Sequence, residues 1–323
     1  MTYKTKVTVL GGIIAALALV LIFSFIFDSD RVSTRSSVYS WLDIKQKDRI
    51  STITIYNQED TVFLTLRNGN WLVKTNERDF PALNLKVDDF INTLTKKAQY
   101  PVRSSSALSH EKYFLTEERN SGRVTVSDDS GLPLLDLLIG FGDITRQNIY
   151  LRKHGQNEVR SGEDIFSTYV ITTPAFWYNL RLFPEAEAGK VDITGVQRFA
   201  VYPPAVDGES PAPLVFSRNN RTWNFNFNLE NPDPGMVDLY IRDILNASAD
   251  GFADIDQSEI DFNDCRIFLE FGDNTFRSLR LSVFDLDSER RYAVVSGSNF
   301  VYSIPEHTFR RLFPDISYFE RGF

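Results

Sequence analysis

The side chains best suited to metal binding or acid–base chemistry are few and scattered along the sequence. The three histidines, His110, His154 and His307, lack any short spacing that would place two of them on one face of an element. We interpret each as a surface or capping residue. The single cysteine, Cys265, excludes an intrachain disulfide and a zinc site built from cysteines. Because Cys265 lies in the apolar segment DCRIFLEF, we predict a buried, unreactive thiol.

One acidic segment, DIDQSEIDFNDC, partly matches a calcium-binding loop. Asp254, Asp256 and Ser258 have the spacing of its first three ligands. Glu259 stands where such a loop requires glycine, and Cys265 stands where it requires a bidentate glutamate. We therefore interpret the segment as a solvated acidic loop, and we predict no metal site and no cofactor.

Motifs for other chemistry are missing. The sequence has no Walker A pattern and no Gly-x-Ser-x-Gly elbow, so we predict neither an ATPase subunit nor a hydrolase of that type. A hydrolase built from dispersed carboxylates stays open as an alternative, because any two carboxylates could meet in a fold of this size. The net charge of -8 and the lack of a basic stripe argue against nucleic acid as a partner. We predict a protein that is not an enzyme.

An uncharged apolar run extends from Val7 to Phe27. As a helix it would span about 31 Å, close to the roughly 30 Å hydrocarbon core of a bilayer. We predict a cytoplasmic tail at 1–6 and an uncleaved single-pass anchor at 7–27 in the bacterial inner membrane, with the rest outside the cytoplasm. A cleaved signal peptide is the competing interpretation, although the run is long and SFIFDSD offers no Ala-x-Ala-like cleavage site.

Small residues recur four apart within this run, a spacing that lets two transmembrane helices approach closely. We predict that they form a packing face for a partner helix or for a second copy of the chain. The residues of this face are Gly11, Gly12, Ala15 and Ala16. The alternative is a passive anchor that merely tolerates small residues.

Residues 28–47 are polar and are interpreted as a tether. The segment STITIYNQEDTVFLTLRNGNWLV then alternates apolar and polar residues, and Asn68-Gly69 is a strong hairpin signal before Trp71. In NLKVDDFINTLTKKA the periodicity becomes helical, with Asn84 as the predicted N-cap. The apolar stripe of this helix consists of Val87, Phe90, Ile91, Leu94 and Ala98.

The second half of the sequence repeats this order. Trp223 is placed like Trp71, and GMVDLYIRDILNAS predicts a second helix. Its apolar stripe consists of Val237, Tyr240, Ile241 and Ile244. Each half closes with a predicted short helix and the tetrapeptide RLFP, at 181–184 and at 311–314. The second of these helices carries a capping-box pattern at Ser303 and Glu306.

We therefore predict an α+β protein in which the anchor and tether precede two tandem repeated modules, at 48–188 and 189–323. Each module is expected to contain a mostly antiparallel sheet, one main amphipathic helix and a short terminal helix.

The order of elements resembles the bacterial domain of unknown function 4340 family over roughly residues 65–184, and weakly over the second half. The shared features are NGNWLV, the helix LKVDDFINTLTKKA, RVTV, LLDLLIGFGD, and Tyr150-Leu151-Arg152. Tyr113-Phe114-Leu115 stands where the family usually has Tyr-Gly-Leu, so the glycine is replaced. None of these motifs is catalytic.

The resemblance implies an auxiliary envelope subunit, because members are often encoded beside ABC transporters of the gliding-motility type. We thus expect a membrane-anchored, non-catalytic binding subunit whose partners are the bilayer and the integral-membrane subunits of such a transporter. Self-association is a further expectation. The main alternative is a module that captures a glycan or a peptide outside the cytoplasm.

Overall fold

The computed structural model describes residues 17, 41–42, 44, 47–76, 78–143, 145, 147–184, 195–205, 209–220, 222–229, 232–262, 265–282 and 290–320. The chain divides into two compact units, Met1–Tyr178 and Asn179–Phe323. Among the helices of the described residues, none has the length and apolar character needed to cross a bilayer. Apart from Leu17, the predicted anchor at 7–27 lies outside these residues, and so do Gly11, Gly12, Ala15 and Ala16.

The first unit is built on one nine-stranded sheet whose neighbouring strands are all antiparallel. In the sheet the strands lie in the order β4-β3-β2-β1-β6-β7-β8-β9-β5. Their bounds are β1 Thr52–Asn57, β2 Thr61–Arg67, β3 Asn70–Lys74, β4 Asp79–Pro81, β5 Val102–Ser104, β6 Gly122–Ser127, β7 Pro133–Gly142, β8 Asn148–Lys153 and β9 Val159–Glu163.

The second unit is built on an eight-stranded antiparallel sheet. Its strands lie in the order β12-β11-β10-β14-β15-β16-β17-β13. Their bounds are β10 Val196–Tyr202, β11 Leu214–Asn219, β12 Thr222–Phe225, β13 Gly251–Ala253, β14 Arg266–Phe271, β15 Phe276–Leu281, β16 Arg291–Val295 and β17 Val301–Ile304. This order matches the order β3-β2-β1-β6-β7-β8-β9-β5 of the first sheet strand by strand. Among the strands of the described residues, β4 is left without a counterpart in the second sheet.

Within the described ranges, the α-helices with defined bounds are α1 Asn84–Thr95, α2 Phe166–Val170, α3 Pro234–Leu245 and α4 Glu306–Leu312. The 3₁₀ helices are Lys47–Arg49, Ala107–Ser109, Pro174–Trp177, Gln257–Glu259 and Ile316–Phe319. The expected α+β class with antiparallel sheets is confirmed.

Helices α1 and α3 each cover one face of their own sheet. Eight residues of the predicted apolar stripes are buried: Val87, Phe90, Ile91 and Leu94 in α1, and Val237, Tyr240, Ile241 and Ile244 in α3. Ala98, the fifth predicted member of the first stripe, lies beyond the end of α1 at Thr95 and is partly buried. Each stripe packs into a single core with the inward-facing residues of the strands, such as Ile53 and Ile55 in β1 or Phe199 and Val201 in β10. This burial, rather than helix propensity, holds a 12-residue helix in place.

The boundary between the units lies between Tyr178 and Asn179 and not between 188 and 189. The first RLFP therefore does not close the first unit: Leu182 and Phe183 are buried in the core of the second unit. The amide of Leu182 also donates to the carbonyl of Ala247, 3.0 Å away. The second RLFP ends α4, so the two copies play different structural roles.

Two predicted caps are wrong. Asn84 is the first residue of α1, and its side chain accepts a hydrogen bond from the Trp71 amide at 2.9 Å. Asn84 therefore ties the helix to β3 instead of capping it. Ser303 lies in β17, and α4 begins at Glu306 after Pro305. Ser303 pairs with Gly251 of β13 and Tyr292 of β16, and Pro305 is the N-cap of α4, so a capping box cannot form there.

The predicted buried thiol leads to a direct test. Cys265 is 2% exposed, and burial raises its pKa to about 12. The thiolate fraction at pH 8 is then roughly a thousandfold lower than that of an unfolded cysteine, whose pKa is about 8.5. We expect iodoacetamide to alkylate the native chain at least a hundredfold more slowly than the chain in urea, with glutathione as the reagent control. Equal rates would show that the thiol is accessible.

Candidate binding site

The open face of the first sheet, opposite α1, carries a group of charged side chains centred on Arg123. Arg123 lies in β6, and Asp136 lies on the neighbouring β7, diagonally across the strand pair. The guanidinium donates two hydrogen bonds to this carboxylate, from Nε to Oδ1 at 2.7 Å and from Nη2 to Oδ2 at 2.5 Å. These hydrogen bonds to Asp136 are the main cause of the raised pKa of Arg123. The side chain is thereby held in one orientation.

Glu117 links this pair to two further residues. One of its oxygens lies 3.3 Å from Nη1 of Arg123, and the other lies 3.5 Å from Nη2 of Arg152 and 3.3 Å from Nε2 of His154. The Nδ1 atom of His154 lies 3.5 Å from Asp136. Carboxylates only accept hydrogen bonds, so both His154 contacts are hydrogen bonds only when the imidazole is protonated. We call these five residues the Arg123 network.

Arg152 anchors the network in the protein. It is 7% exposed, and its Nε donates to the carbonyl of Leu115 at 2.9 Å while its Nη1 donates to the carbonyl of Gln156 at 3.2 Å. A buried guanidinium needs such partners because desolvation of an unpaired charge is costly. Since Glu117 and Leu115 both belong to the 105–121 loop between β5 and β6, Arg152 also fixes that loop on the sheet.

Apolar contacts also hold the 105–121 loop on the sheet. Leu115 is fully buried with Leu138 and Val159, and the rings of Tyr113 and Tyr150 lie 4.5 Å apart. Phe114 has a φ of +56°, a left-handed conformation that is costly for a residue with a bulky side chain. This is the position at which the resemblance leads us to expect glycine.

The ring of Phe114 is itself held in place. It meets Phe141 edge-on at 5.2 Å, and the guanidinium of Arg119 lies 4.2 Å from its centre. These contacts offset the backbone strain, and they explain how the glycine can be replaced.

A groove of about 520 Å³ runs beside the Arg123 network. Its lining includes Tyr56, Asn57, Gln58, Glu117, Asn120 and Arg123. A smaller cavity of about 170 Å³ shares Asn57 and Gln58 with it and is bordered by Phe141 and Ile171, which are 40% and 63% exposed. The open face of the first unit thus offers a polar groove with an apolar end.

The floor of the groove is rigid at the turn between β1 and β2. The Asn57 side chain donates to the carbonyls of Val170 and Thr172, at 3.0 and 2.7 Å, and accepts from the amides of Glu59 and Asp60. The Asn57 side chain therefore fixes the β1–β2 turn and holds it against the segment 170–172. The shape of the groove is therefore set before any ligand arrives.

The residues considered for metal chemistry are used in other ways. Asp256 accepts hydrogen bonds from the amide and the hydroxyl of Ser258 and caps the 3₁₀ helix Gln257–Glu259, so it acts as a cap. Within the described ranges, no three side chains of the His, Cys, Asp or Glu types form a group that could hold a metal ion. His110 contacts the carbonyl of Asn157 at 3.0 Å, and His154 belongs to the Arg123 network.

The sequence did not identify Arg123, Asp136, Glu117 or Arg152 as site residues. The available signal was a charged residue within an otherwise apolar strand, as in LLDLLIGF around Asp136. Such a residue needs a partner on the same face, and only the strand register shows which one.

In comparisons with known proteins, no family model, no curated protein and no solved structure matches this chain.

Proposed function

We propose that this protein is a non-catalytic binding subunit, anchored in the bacterial inner membrane by residues 7–27, with both units outside the cytoplasm. The anchor rests on the apolar run from Val7 to Phe27. The binding role rests on one observation: the 520 Å³ polar groove beside the Arg123 network, on the sheet face opposite α1. The two units, with their common strand order, are tandem copies of one module in this proposal.

The chemistry of the groove favours binding over hydrolysis. Both carboxylate oxygens of Asp136 accept N–H groups from Arg123, and each oxygen of Glu117 faces a basic side chain. A general acid or base must present a carboxyl oxygen to the substrate, and all four oxygens of these two side chains already contact basic groups. The arrangement instead presents fixed charges and amides to a polar ligand.

The proposed ligand is a polar extracytoplasmic loop of an integral-membrane subunit of a gliding-motility-type ABC transporter. Gln58 and Asn120 both donate and accept hydrogen bonds, as peptide groups do, and both charge signs are present in the wall. The exposed Phe141 and Ile171 would take an apolar side chain of the same loop. The resemblance to the domain of unknown function 4340 family supports this choice of partner. Gly11, Gly12, Ala15 and Ala16 would supply a second contact, within the membrane.

Site-specific photocrosslinking tests this proposal. We expect a photoreactive phenylalanine analogue at Gln58, in the groove wall, to form an adduct with a transporter membrane subunit in intact cells. The same analogue at Leu85, which is 57% exposed on α1, is the matched control and is expected to give none. Adducts are isolated from detergent-solubilised membranes and identified by mass spectrometry.

Each outcome is decisive. A Gln58 adduct with a second copy of this chain would replace the transporter by self-association, and an adduct with a glycan would favour the capture alternative. Equal adducts at Gln58 and Leu85, or none at either position, would reject the groove as a binding site.

A further inference from the structure

Two arginines stand directly opposite each other on the open face of the second sheet. Arg266 in β14 and Arg280 in β15 are register partners, and both side chains are exposed. Over the part of the chain that the structure describes, neither guanidinium forms an ion pair. Like charges directly opposite each other destabilise an antiparallel pair, so strand pairing does not account for them.

Aromatic rings hold both guanidinium groups. Arg266 lies 4.3 Å from the centre of the Tyr202 ring, and Arg280 lies 4.8 Å from the centre of the Phe262 ring. A guanidinium that stacks through its face keeps the N–H groups on its edge available for an anion. On the same face, Phe268, two residues from Arg266 along β14, stacks on Phe276 of β15 with the ring centres 5.4 Å apart. The surface thus combines two oriented cations with an apolar aromatic patch.

In the first unit, the arginine that corresponds to Arg266 is Arg123, and there it binds a carboxylate, Asp136. Tyr56 pairs with Arg123 there as Tyr202 pairs with Arg266 here. Asp136, which binds Arg123, stands opposite Thr125, and the corresponding residue opposite Phe268 is Ser278. The register partner of Arg123 is Leu138, whereas that of Arg266 is Arg280. The second unit therefore has a second cation in place of an apolar residue and a hydroxyl in place of the acid.

We propose that Arg266 and Arg280 form a binding site for a phosphate group. A single guanidinium satisfies one carboxylate, as Arg123 does with Asp136. Two neighbouring guanidiniums match a phosphate monoester, which carries a charge of about -1.5 to -2 and three acceptor oxygens. The Phe268–Phe276 patch lies where an apolar part of the same ligand would pack. The net charge of -8 repels long polyanions, so the site selects a single phosphate and not nucleic acid.

Calorimetric titration of the full chain in a maltoside detergent tests the site. The probes are inorganic phosphate, phenyl phosphate and a short-chain phosphatidic acid, with short-chain phosphatidylcholine, a phosphodiester, for comparison. We expect phosphomonoesters to bind, and Arg266→Gln and Arg280→Gln each to weaken that binding at least tenfold. Arg310→Gln removes the same charge from a side chain that is 78% exposed on α4 and is expected to change nothing.

A gain of charge provides the complementary test. Ser278→Asp restores the acid that the first unit has at Asp136, so it should neutralise Arg266 and weaken binding at least tenfold with both arginines present. The Arg266, Arg280 and Ser278 variants should not lower the unfolding temperature, because each of these three relieves like-charge repulsion between the two arginines. That result separates lost binding from misfolding.

The three probes distinguish the sources of the phosphate. Binding of inorganic or phenyl phosphate supports a soluble ligand, and binding of phosphatidic acid alone supports a lipid headgroup. If no probe binds, or if the wild-type chain and the Arg266 and Arg280 variants bind equally, the site is rejected. The crosslinking test at Gln58 concerns the other unit, so failure of one proposal leaves the other standing.

Discussion

Phe90→Ala is expected to lower the free energy of unfolding of the first unit by about 3–5 kcal/mol. Phe90 is fully buried, and its ring lies 4.9 Å from that of Tyr169 and 5.6 Å from that of Trp177. Removal of the ring leaves a cavity between α1 and the segment that ends the unit. The backbone cannot close this cavity, because the Leu83 amide is hydrogen-bonded to the Trp177 carbonyl at 2.8 Å.

The measurement is urea unfolding of the full chain in detergent, followed by tryptophan fluorescence. Leu85→Ala is the control, because Leu85 lies on the same helix and is 57% exposed. Its effect should stay within about 0.5 kcal/mol. A Phe90→Ala variant as stable as the control would mean that α1 does not pack on the sheet.

Helix α1 could be predicted from the sequence because its signal is local. Four apolar residues at helical spacing define the buried stripe, and the same spacing in α3 gave the corresponding positions around Tyr240. The alternation of Ile53 and Ile55 in β1 is equally local. Such patterns report which side of an element faces the core, and each of these residues is buried.

The unit boundary could not be predicted in the same way. The two RLFP copies are identical in sequence, yet Arg181 of the first forms an isolated β-bridge with Ser248 and the second copy ends a helix. Four residues do not determine their own conformation when tertiary contacts differ. Leu182 belongs to the core of the second unit, because its amide donates a hydrogen bond to the Ala247 carbonyl and its side chain packs among apolar residues of that core.

The Arg123 network was beyond prediction for a related reason. Glu117, Asp136 and His154 come from a loop, a strand and a strand end, and they meet only through the register of β6, β7 and β8. A one-residue shift in that register would turn Asp136 to the other face, into the core. Sequence patterns indicate that a charge lies in a strand, but they do not show what it contacts.

Gly140→Ala is expected to detach the 105–121 loop from the sheet. Gly140 lies on the open face of β7, and an added Cβ would stand 2.3 Å from the carbonyl oxygen of Tyr113 and 3.3 Å from that of Phe114. These are backbone atoms, which cannot rotate away as a side chain could. Alanine in a strand normally stabilises by about 0.5–1 kcal/mol relative to glycine. Here we expect a loss of about 3 kcal/mol, at the upper end of overpacking effects.

Hydrogen exchange read by mass spectrometry measures this effect. The amides of Tyr113 and Leu115, which are hydrogen-bonded to the carbonyls of Ser109 and His110, should lose protection in the Gly140→Ala variant. Gly142→Ala is the control on the same strand, because its Cβ would meet nothing closer than 3.4 Å. We expect the control to retain wild-type exchange.

The same substitution tests how the binding groove is held. Glu117 reaches Arg123 only because the loop is seated on β7, so a detached loop removes one wall of the groove. The proposed crosslink at Gln58 should then disappear with Gly140→Ala and persist with Gly142→Ala, although neither change touches a charged side chain of the Arg123 network. If Gly140→Ala kept both the protection and the crosslink, the loop could not be what fixes Glu117. The buried contact from Arg152 to the Leu115 carbonyl would then have to hold the groove wall by itself.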